Sequence, residues 1–228
     1  MQRQTQDIDL AIAVPDWEGF EELRSALLAS GCFAASPHGA YRLRHANGWP
    51  IDLLPFGGVE SSERMIAWPP NGDVVMGVFG FREALASAQA VRLPAGVLSR
   101  VVSLPALAVL KIMCWQDRHY TSPRKDAYDL QMVLRHYLLA GNEARLWQEF
   151  ANWTQEYGFD YELAGPRMLG HDMRQMLGAT GFAPAVQVLQ NQSTGAQAGL
   201  LAYEMNSHDP DRAVAWLNAL QLGLQADA

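Results

Sequence analysis

Apolar and polar positions follow short, β-like runs in the first hundred residues of the chain. Residues 8–14 (IDLAIAV) predict a strand that ends at Pro15. A helix is predicted to follow, with Asp16 as its N-cap and Gly31 closing it. Two more strands, Tyr41–His45 and Pro50–Phe56, are expected on either side of the hairpin turn signal Asn47-Gly48. The first of them alternates like an edge strand.

The next stretch, from Gly57 to Gly80, is rich in Gly and Pro and is predicted to be a loop over one end of the sheet. Beyond it we expect a helix over Phe81–Ala90 and short strands over Val91–Leu93 and Val97–Val102.

From Leu104 onward the apolar positions recur at helical spacing. Six helices are predicted there, over Leu104–Arg118, Asp126–Leu139, Glu143–Tyr157, Met168–Leu177, Ala183–Gln190 and Asp211–Leu224. The pattern therefore predicts an α+β protein, in which a small mixed β-sheet with flanking helices over residues 1–103 precedes a helical subdomain over residues 104–228.

Composition and charge narrow the function classes. The 228 residues are 49% apolar and 18% charged, which is ordinary for a globular protein. A net charge of −7 argues against a general DNA-binding protein, although a tRNA-sized substrate is compatible with it. The sequence has neither a run of 18 apolar residues nor an apolar signal-peptide core, so we expect a cytoplasmic protein without membrane contact.

Two acids on one predicted strand are the first candidates for chemistry. Alternate side chains of a strand face the same way, so Asp7 and Asp9 are predicted to project together while Ile8 and Leu10 enter the core. Carboxylates crowded on one face suit Mg²⁺, which is held by one or two carboxylates together with substrate phosphates. Taken alone, an Asp-x-Asp pair near a terminus is more often a solvated strand end than a metal site.

A third acid, Asp52, stands isolated in the apolar run Pro50-Ile51-Asp52-Leu53-Leu54. An unpaired buried carboxylate there would cost several kcal/mol. Asp52 is therefore expected either to join Asp7 and Asp9 around a metal ion, or to face solvent or pair with an arginine.

Together these residues form a pattern with a known counterpart. Thr-x-Asp-Ile-Asp-Leu, followed some forty residues later by Ile-Asp-Leu-Leu-Pro-Phe-Gly, resembles nucleotidyltransferases of the DNA-polymerase-β-like superfamily. The resemblance implies that Asp7, Asp9 and Asp52 are catalytic and hold one or two Mg²⁺ ions. It also implies transfer of a nucleoside monophosphate from a nucleoside triphosphate to an acceptor hydroxyl, on a tRNA or on a protein.

Charged residues of the helical part form a second set. Lys111 is the one charge in the apolar run Ala106–Trp115, and it is expected either to extend its ammonium to solvent or to point into a cleft that supplies an anion. Arg118 lies two turns further along the same face, and Asp126 and Asp129 are neighbours on the next helix. The structural alternatives are a solvated stripe for the cations and a helix N-terminal acid for Asp126.

This second set resembles the helical motifs of AbiEii-type abortive-infection nucleotidyltransferase toxins. The resemblance rests on Leu-Lys, a later Arg, and Lys-Asp-x-x-Asp-Leu at residues 125–130, and it spans about residues 3–138. It implies that Lys111 contacts a nucleotide phosphate, that Asp126 and Asp129 order the site, and that an antitoxin partner exists. The substrate-binding residues it implies are Thr5, Lys111, Arg118, Lys125, Asp126 and Asp129.

One element of the superfamily pattern is missing from the sequence. Its members carry a Gly-Gly or Gly-Ser turn about ten residues before the first acid, and the backbone of that turn cradles the triphosphate. Only Met1–Gln6 precede Asp7 here. Either the start codon was set too late, or the protein lacks the usual phosphate cradle. The competing hypothesis is therefore a non-catalytic binding or regulatory protein that kept the fold and lost the cradle.

Overall fold

The computed structural model of the protein describes residues 7–37, 39–193 and 198–226. Thr5, predicted to bind substrate, lies outside the described residues. The chain forms two compact units, which divide between Arg82 and Glu83. The boundary near Ser103 was predicted from the start of the long helices and stays a prediction.

The first unit contains a mixed sheet and a separate hairpin. The sheet has the order β1-β4-β3-β2, in which β1 is parallel to β4 and the other neighbouring pairs are antiparallel. Its strands are β1 Ile8–Val14, β2 Phe33–Ala35, β3 Arg42–His45 and β4 Pro50–Gly57, and the hairpin strands are β5 Met65–Ala67 and β6 Val75–Gly77.

The predicted strands around Asn47-Gly48 are confirmed as the β3–β4 hairpin. The Gly48 amide donates to the His45 carbonyl at 2.8 Å, and Gly48 has a φ of +94°, which glycine adopts without steric cost. Strand β3 is an inner strand, so its prediction as an edge strand was wrong. The sequence pattern missed β2, because three residues are too few to show an alternation.

The core of this unit lies under the second half of β1. Val14 and Phe20 belong to the buried cluster and Ile12 packs against it. Ile8 and Leu10 share the face of Ile12 but are 46% and 44% exposed, so their predicted burial was wrong. The face of the strand was predicted correctly, yet the buried cluster does not reach its first residues.

Helix α1, Trp17–Ala29, connects β1 to β2, and its predicted start is confirmed. The Asp16 carboxylate accepts a hydrogen bond from the Gly19 amide at 2.8 Å, which satisfies one of the unpaired donors of the first turn. The predicted loop over Gly57–Gly80 was wrong in part, because it contains the β5–β6 hairpin. Its aromatic residue Trp68 stacks at a tilt against Trp17 with ring centroids 5.4 Å apart.

The second unit is helical, with one hairpin near its start. Helix α2, Phe81–Ala86, spans the division between the units. The remaining elements are β7 Gln89–Arg92, β8 Leu98–Val101, α3 Leu104–Arg118, α4 Lys125–His136, α5 Glu143–Glu149, α6 Ala151–Glu156, α7 Tyr161–Gly181, α8 Ala183–Ser193, α9 Leu200–Met205 and α10 Pro210–Gln225.

Most helix predictions in this unit are confirmed in position. Helix α3 has the predicted bounds, because Ser103 caps its first turn and Pro105 fits there. The helix predicted over Glu143–Tyr157 is broken at Phe150, whose backbone is not helical, and α9 was not predicted. The helices and the small mixed sheet together confirm the α+β class.

Helices α7 and α10 approach each other closely at two glycines. A Cβ atom at Gly170 would lie 2.0 Å from the Leu220 carbonyl oxygen, and one at Gly223 would lie 1.9 Å from that of Arg167. No heavy atom tolerates such distances. We call this contact the glycine seam, and it allows the backbones of two helices to pack directly on each other.

Substituting Gly170 with Ala should open the glycine seam. We expect a loss of about 2 kcal/mol in the free energy of unfolding, because overpacking outweighs the better helix propensity of Ala. Gly181→Ala is the matched control, since its Cβ would meet only Leu177, at an ordinary 3.5 Å. Urea unfolding of the three proteins checks this, and equal stability of both variants would contradict the seam.

Candidate metal centre

Strand pairing in the first unit brings the three predicted acids together. Asp9 on β1 and Asp52 on β4 are direct partners in the parallel register. One carboxylate oxygen from each of Asp7, Asp9 and Asp52 lies within 4.8 Å of the other two. Asp52 is 7% exposed, Asp7 is half-buried and Asp9 is exposed, so the cluster opens outward from the buried Asp52.

An arginine on the neighbouring strand completes this cluster. Arg42 on β3 is the direct antiparallel partner of Asp52. Its Nε and Nη2 atoms each donate to one oxygen of Asp52, both at 2.6 Å, and Nη2 also donates to Oδ2 of Asp7 at 3.1 Å. The hydrogen bonds to Asp52 raise the pKa of Arg42 above its ordinary value, so the guanidinium stays charged.

Carboxylate oxygens are the usual protein ligands of a hard divalent cation such as Mg²⁺. Mg²⁺ binds oxygen at about 2.0–2.1 Å, so two oxygens on opposite sides of one ion lie about 4 Å apart. The 4.8 Å limit on the spacing of the oxygens of Asp7, Asp9 and Asp52 is close to that value. The three carboxylates could therefore hold a divalent cation.

Arg42 was not predicted as a site residue, although pairing of Asp52 with an arginine was one alternative. Counting outward from a two-residue turn at Asn47-Gly48 would place Arg42 opposite Leu53. The observed register is shifted by one residue and places Arg42 opposite Asp52. Pairing with Arg42 does not separate Asp52 from Asp7 and Asp9, so the arginine and the acids share one cluster.

The second unit holds another cluster of charges, between α3 and α4. Lys111 Nζ lies 3.1 Å from Oδ1 of Asp126 and 2.7 Å from Oδ2 of Asp129. Arg118 donates to both oxygens of Asp126, from Nε at 2.7 Å and from Nη2 at 2.9 Å. Lys111 is therefore paired with acids of the protein itself, and its predicted position in a substrate cleft stays a prediction.

Burial and pairing oppose each other in this network. Burial alone would raise the pKa of Asp126, which is 2% exposed, but the hydrogen bonds from Arg118 and the charge of Lys111 lower it. Burial likewise would lower the pKa of Lys111, and Asp129 and Asp126 raise it instead. Both pKa shifts favour the charged forms, so Asp126 and Lys111 are ionised at neutral pH.

Each unit therefore contains one of the two groups of predicted site residues. Asp7, Asp9 and Asp52 meet in the first unit. Lys111, Arg118, Asp126 and Asp129 form the network of the second unit, where Lys125 is the first residue of α4. Their roles in binding substrate stay predictions.

The mixed sheet with an acidic cluster on two parallel strands, followed by a helical unit, defines a nucleotidyltransferase-like protein. A family model described as nucleotidyl transferase AbiEii toxin, type IV toxin–antitoxin system, matches residues 1–213. The chain belongs to this family of nucleotidyltransferase toxins. Comparisons with curated proteins and with solved structures gave no match.

Membership of the family confirms the resemblance drawn from the acid and lysine motifs. It places the chain, at family level, in a toxin–antitoxin system, which implies an antitoxin partner. Among the described helices, none combines the length and the apolar character needed to cross a membrane.

Proposed function

We propose that this protein transfers a nucleoside monophosphate from a nucleoside triphosphate to an acceptor hydroxyl, in a reaction that needs Mg²⁺. The observation that carries the proposal is the convergence of Asp7, Asp9 and Asp52 from two paired strands. We further propose that the protein acts in the cytoplasm, where triphosphates and RNA are at hand.

The positions of the three acids suggest a division of work. Asp7, directly before the edge strand β1, and Asp9, on that strand, are placed to hold one or two metal ions from one side. Asp52, buried on β4, would share the metal ion nearest the acceptor and help to activate the acceptor hydroxyl. A bound divalent ion supplies Lewis acidity, which polarises phosphoryl oxygens and lowers the pKa of an attacking hydroxyl.

The chain's own residues orient this chemistry. Asp52 is held by two hydrogen bonds from Arg42, so its carboxylate has one orientation. Rigid acids on neighbouring strands keep their geometry without reorganisation, which is the main requirement for phosphoryl-type transfer.

We propose that Lys111 screens phosphate charge of the nucleotide, with Asp126 and Asp129 keeping the ammonium in place. The two acids lie 3.1 Å and 2.7 Å from Lys111 Nζ and raise its pKa, so the cation persists under all physiological conditions. Arg118 holds Asp126 through hydrogen bonds to both of its carboxylate oxygens. Lys125, at the start of the same helix, would add positive charge for the substrate.

Labelling identifies both the reaction and the acceptor. The protein is incubated with Mg²⁺, with each of the four triphosphates labelled at the α-phosphate, and with either total RNA or total protein. We expect label to enter one acceptor class, and nuclease or protease treatment of the product tells which. Label placed at the γ-phosphate should not transfer, because the reaction releases pyrophosphate.

Two controls make this experiment decisive. Chelation of Mg²⁺ should stop labelling. Asp73→Asn, at an exposed acid between β5 and β6, should label like wild type and tests the effect of losing any surface carboxylate. Absence of label with every triphosphate, while triphosphate still binds, would favour the non-catalytic binding protein instead.

A further inference from the structure

Arg42 offsets part of the negative charge of the acidic cluster formed by Asp7, Asp9 and Asp52. Three carboxylates lie within 4.8 Å of one another, and the guanidinium of Arg42 is the cation that donates to two of them. The four side chains together carry a charge of −2. Without Arg42 the same site would carry −3.

Nη2 of Arg42 stands between two acids at the place where a divalent ion would also be drawn. It lies 2.6 Å from Oδ2 of Asp52 and 3.1 Å from Oδ2 of Asp7. A metal ion bound by the same two carboxylates would have a positive neighbour within a few ångströms. Because the pair is partly shielded from water, that repulsion is stronger than between solvated charges.

Asp52 does not depend on Arg42 alone for its position. It lies in the middle of β4, with β1 paired on one side and β3 on the other. The strand fixes its backbone, so removing the guanidinium leaves Asp52 paired with Asp9 in the register while it takes away a charge.

We propose that Arg42 is a built-in counter-cation that competes with divalent metal for Asp7 and Asp52, and so lowers the metal affinity of the free protein. It stabilises the crowded acids when no metal is bound. When metal binds, the Arg42 contact with Asp7 is given up, while the fork to Asp52 remains. This inference rests on the metal site of the proposed function. Because Arg42 lowers the metal affinity of the free protein, retention of the metal then depends on the phosphates of a bound nucleotide as additional ligands.

Mn²⁺ binding in the absence of nucleotide tests the proposal directly. Free Mn²⁺ is measured by electron paramagnetic resonance during titration of wild type, Arg42→Gln and Arg42→Lys. We expect Arg42→Gln to bind Mn²⁺ at least about tenfold more tightly than wild type, since a repelling charge is gone. Arg42→Lys keeps the charge but not the fork, and its affinity should stay within about threefold of wild type.

The matched control is Arg44→Gln. Arg44 lies two residues along on β3, is exposed, and faces the same side of the strand, but it pairs with Pro50 in the register instead of Asp52. The Arg44→Gln variant removes the same charge from the same strand, and its Mn²⁺ affinity should match that of wild type. Equal tightening in both glutamine variants would overturn the specific role of Arg42.

A second readout follows the stability of the same proteins. Without metal, Arg42→Gln should melt at a lower temperature than wild type, because Asp7 and Asp52 then lose the cation that they share. Saturating Mg²⁺ should raise its melting temperature by more than it raises that of wild type.

The outcomes separate the two proposals. If neither wild type nor Arg42→Gln binds Mn²⁺ at millimolar concentration, the metal site itself fails, and the role of Arg42 fails with it. If wild type binds Mn²⁺ and both Arg42 variants bind it about tenfold more weakly, Arg42 only positions Asp52, and the competition is overturned. The lysine variant decides between these roles even if the glutamine variant does not fold.

Discussion

Replacing Asp9 with Asn is expected to reduce nucleotidyl transfer by at least about 100-fold while leaving the metal-free protein as stable as wild type. Loss of a ligand removes several kcal/mol of transition-state stabilisation, and each 1.36 kcal/mol is tenfold in rate. Removing one charge from three crowded carboxylates relieves repulsion, so the melting temperature without metal should stay equal or rise. Labelling rates and thermal melts with and without Mg²⁺ check both halves.

The thermal half of this test does not depend on the nucleotide. Wild type should gain stability on addition of Mg²⁺, and Asp9→Asn should gain much less. Asp73→Asn, the exposed control, should show the wild-type shift. A loss of about 1–3 kcal/mol in the metal-free variant would instead identify Asp9 as a structural hydrogen-bond partner. Equal shifts in all three proteins would mean that Asp9 is not a ligand.

The second large effect is expected at Asp126. Its replacement by Asn should cost about 3 kcal/mol of unfolding free energy, because breaking a buried ion pair leaves a charge without compensation. Asp126 is 2% exposed and has two cations within 3.1 Å. In this variant Lys111 keeps its ion pair with Asp129 at 2.7 Å, and Arg118 still reaches solvent. The expected loss of unfolding free energy is therefore at the low end of the range for broken buried ion pairs.

Asp211→Asn is the matched control for this prediction. Asp211 also lies in the first turn of a helix, in α10, but it is exposed. Its replacement should cost about 0.5 kcal/mol or less, through the helix dipole alone. Urea unfolding of the two variants and wild type measures the difference. Equal stability of both variants, with weakened triphosphate binding in Asp126→Asn, would instead assign Asp126 to the substrate.

The pH dependence of this difference follows from the two pKa shifts. The pKa of Asp126 is lowered below its ordinary 3.8, so its stabilisation is complete above about pH 4 and is lost as pH falls through the lowered value. The pKa of Lys111 is raised above 10.5, so its stabilisation is complete below that pH and is lost as pH rises further. The gap between wild type and Asp126→Asn should therefore be constant from about pH 5 to pH 10 and shrink in acid.

Local signals in the sequence were sufficient for the parts of the fold with distinct end markers. Strand β1, helix α3 and the β3–β4 hairpin were predicted within one residue, because Pro15, Ser103 and Asn47-Gly48 mark their ends. The β5–β6 hairpin was missed because its strands have three residues each, among Gly and Pro that suggest a loop.

The candidate site shows a similar division. The three acids were predicted from strand alternation and from the isolation of Asp52, since both are properties of a single strand. Arg42 required the register between two strands, which a pattern along one strand does not contain. The same holds for the pairing of Arg118 with Asp126, which depends on how α3 packs against α4.

The glycine seam forms late during synthesis, because it needs α10 as well as α7. All strands that carry the acidic cluster are made by residue 57, whereas α10, one side of the seam, ends at Gln225. At about 5–20 residues per second, a ribosome needs roughly 7–30 s to add the 143 residues of 83–225. Throughout that interval the nascent second unit lacks its last helix. Any activity that needs α10 therefore begins only after residue 225 has been added.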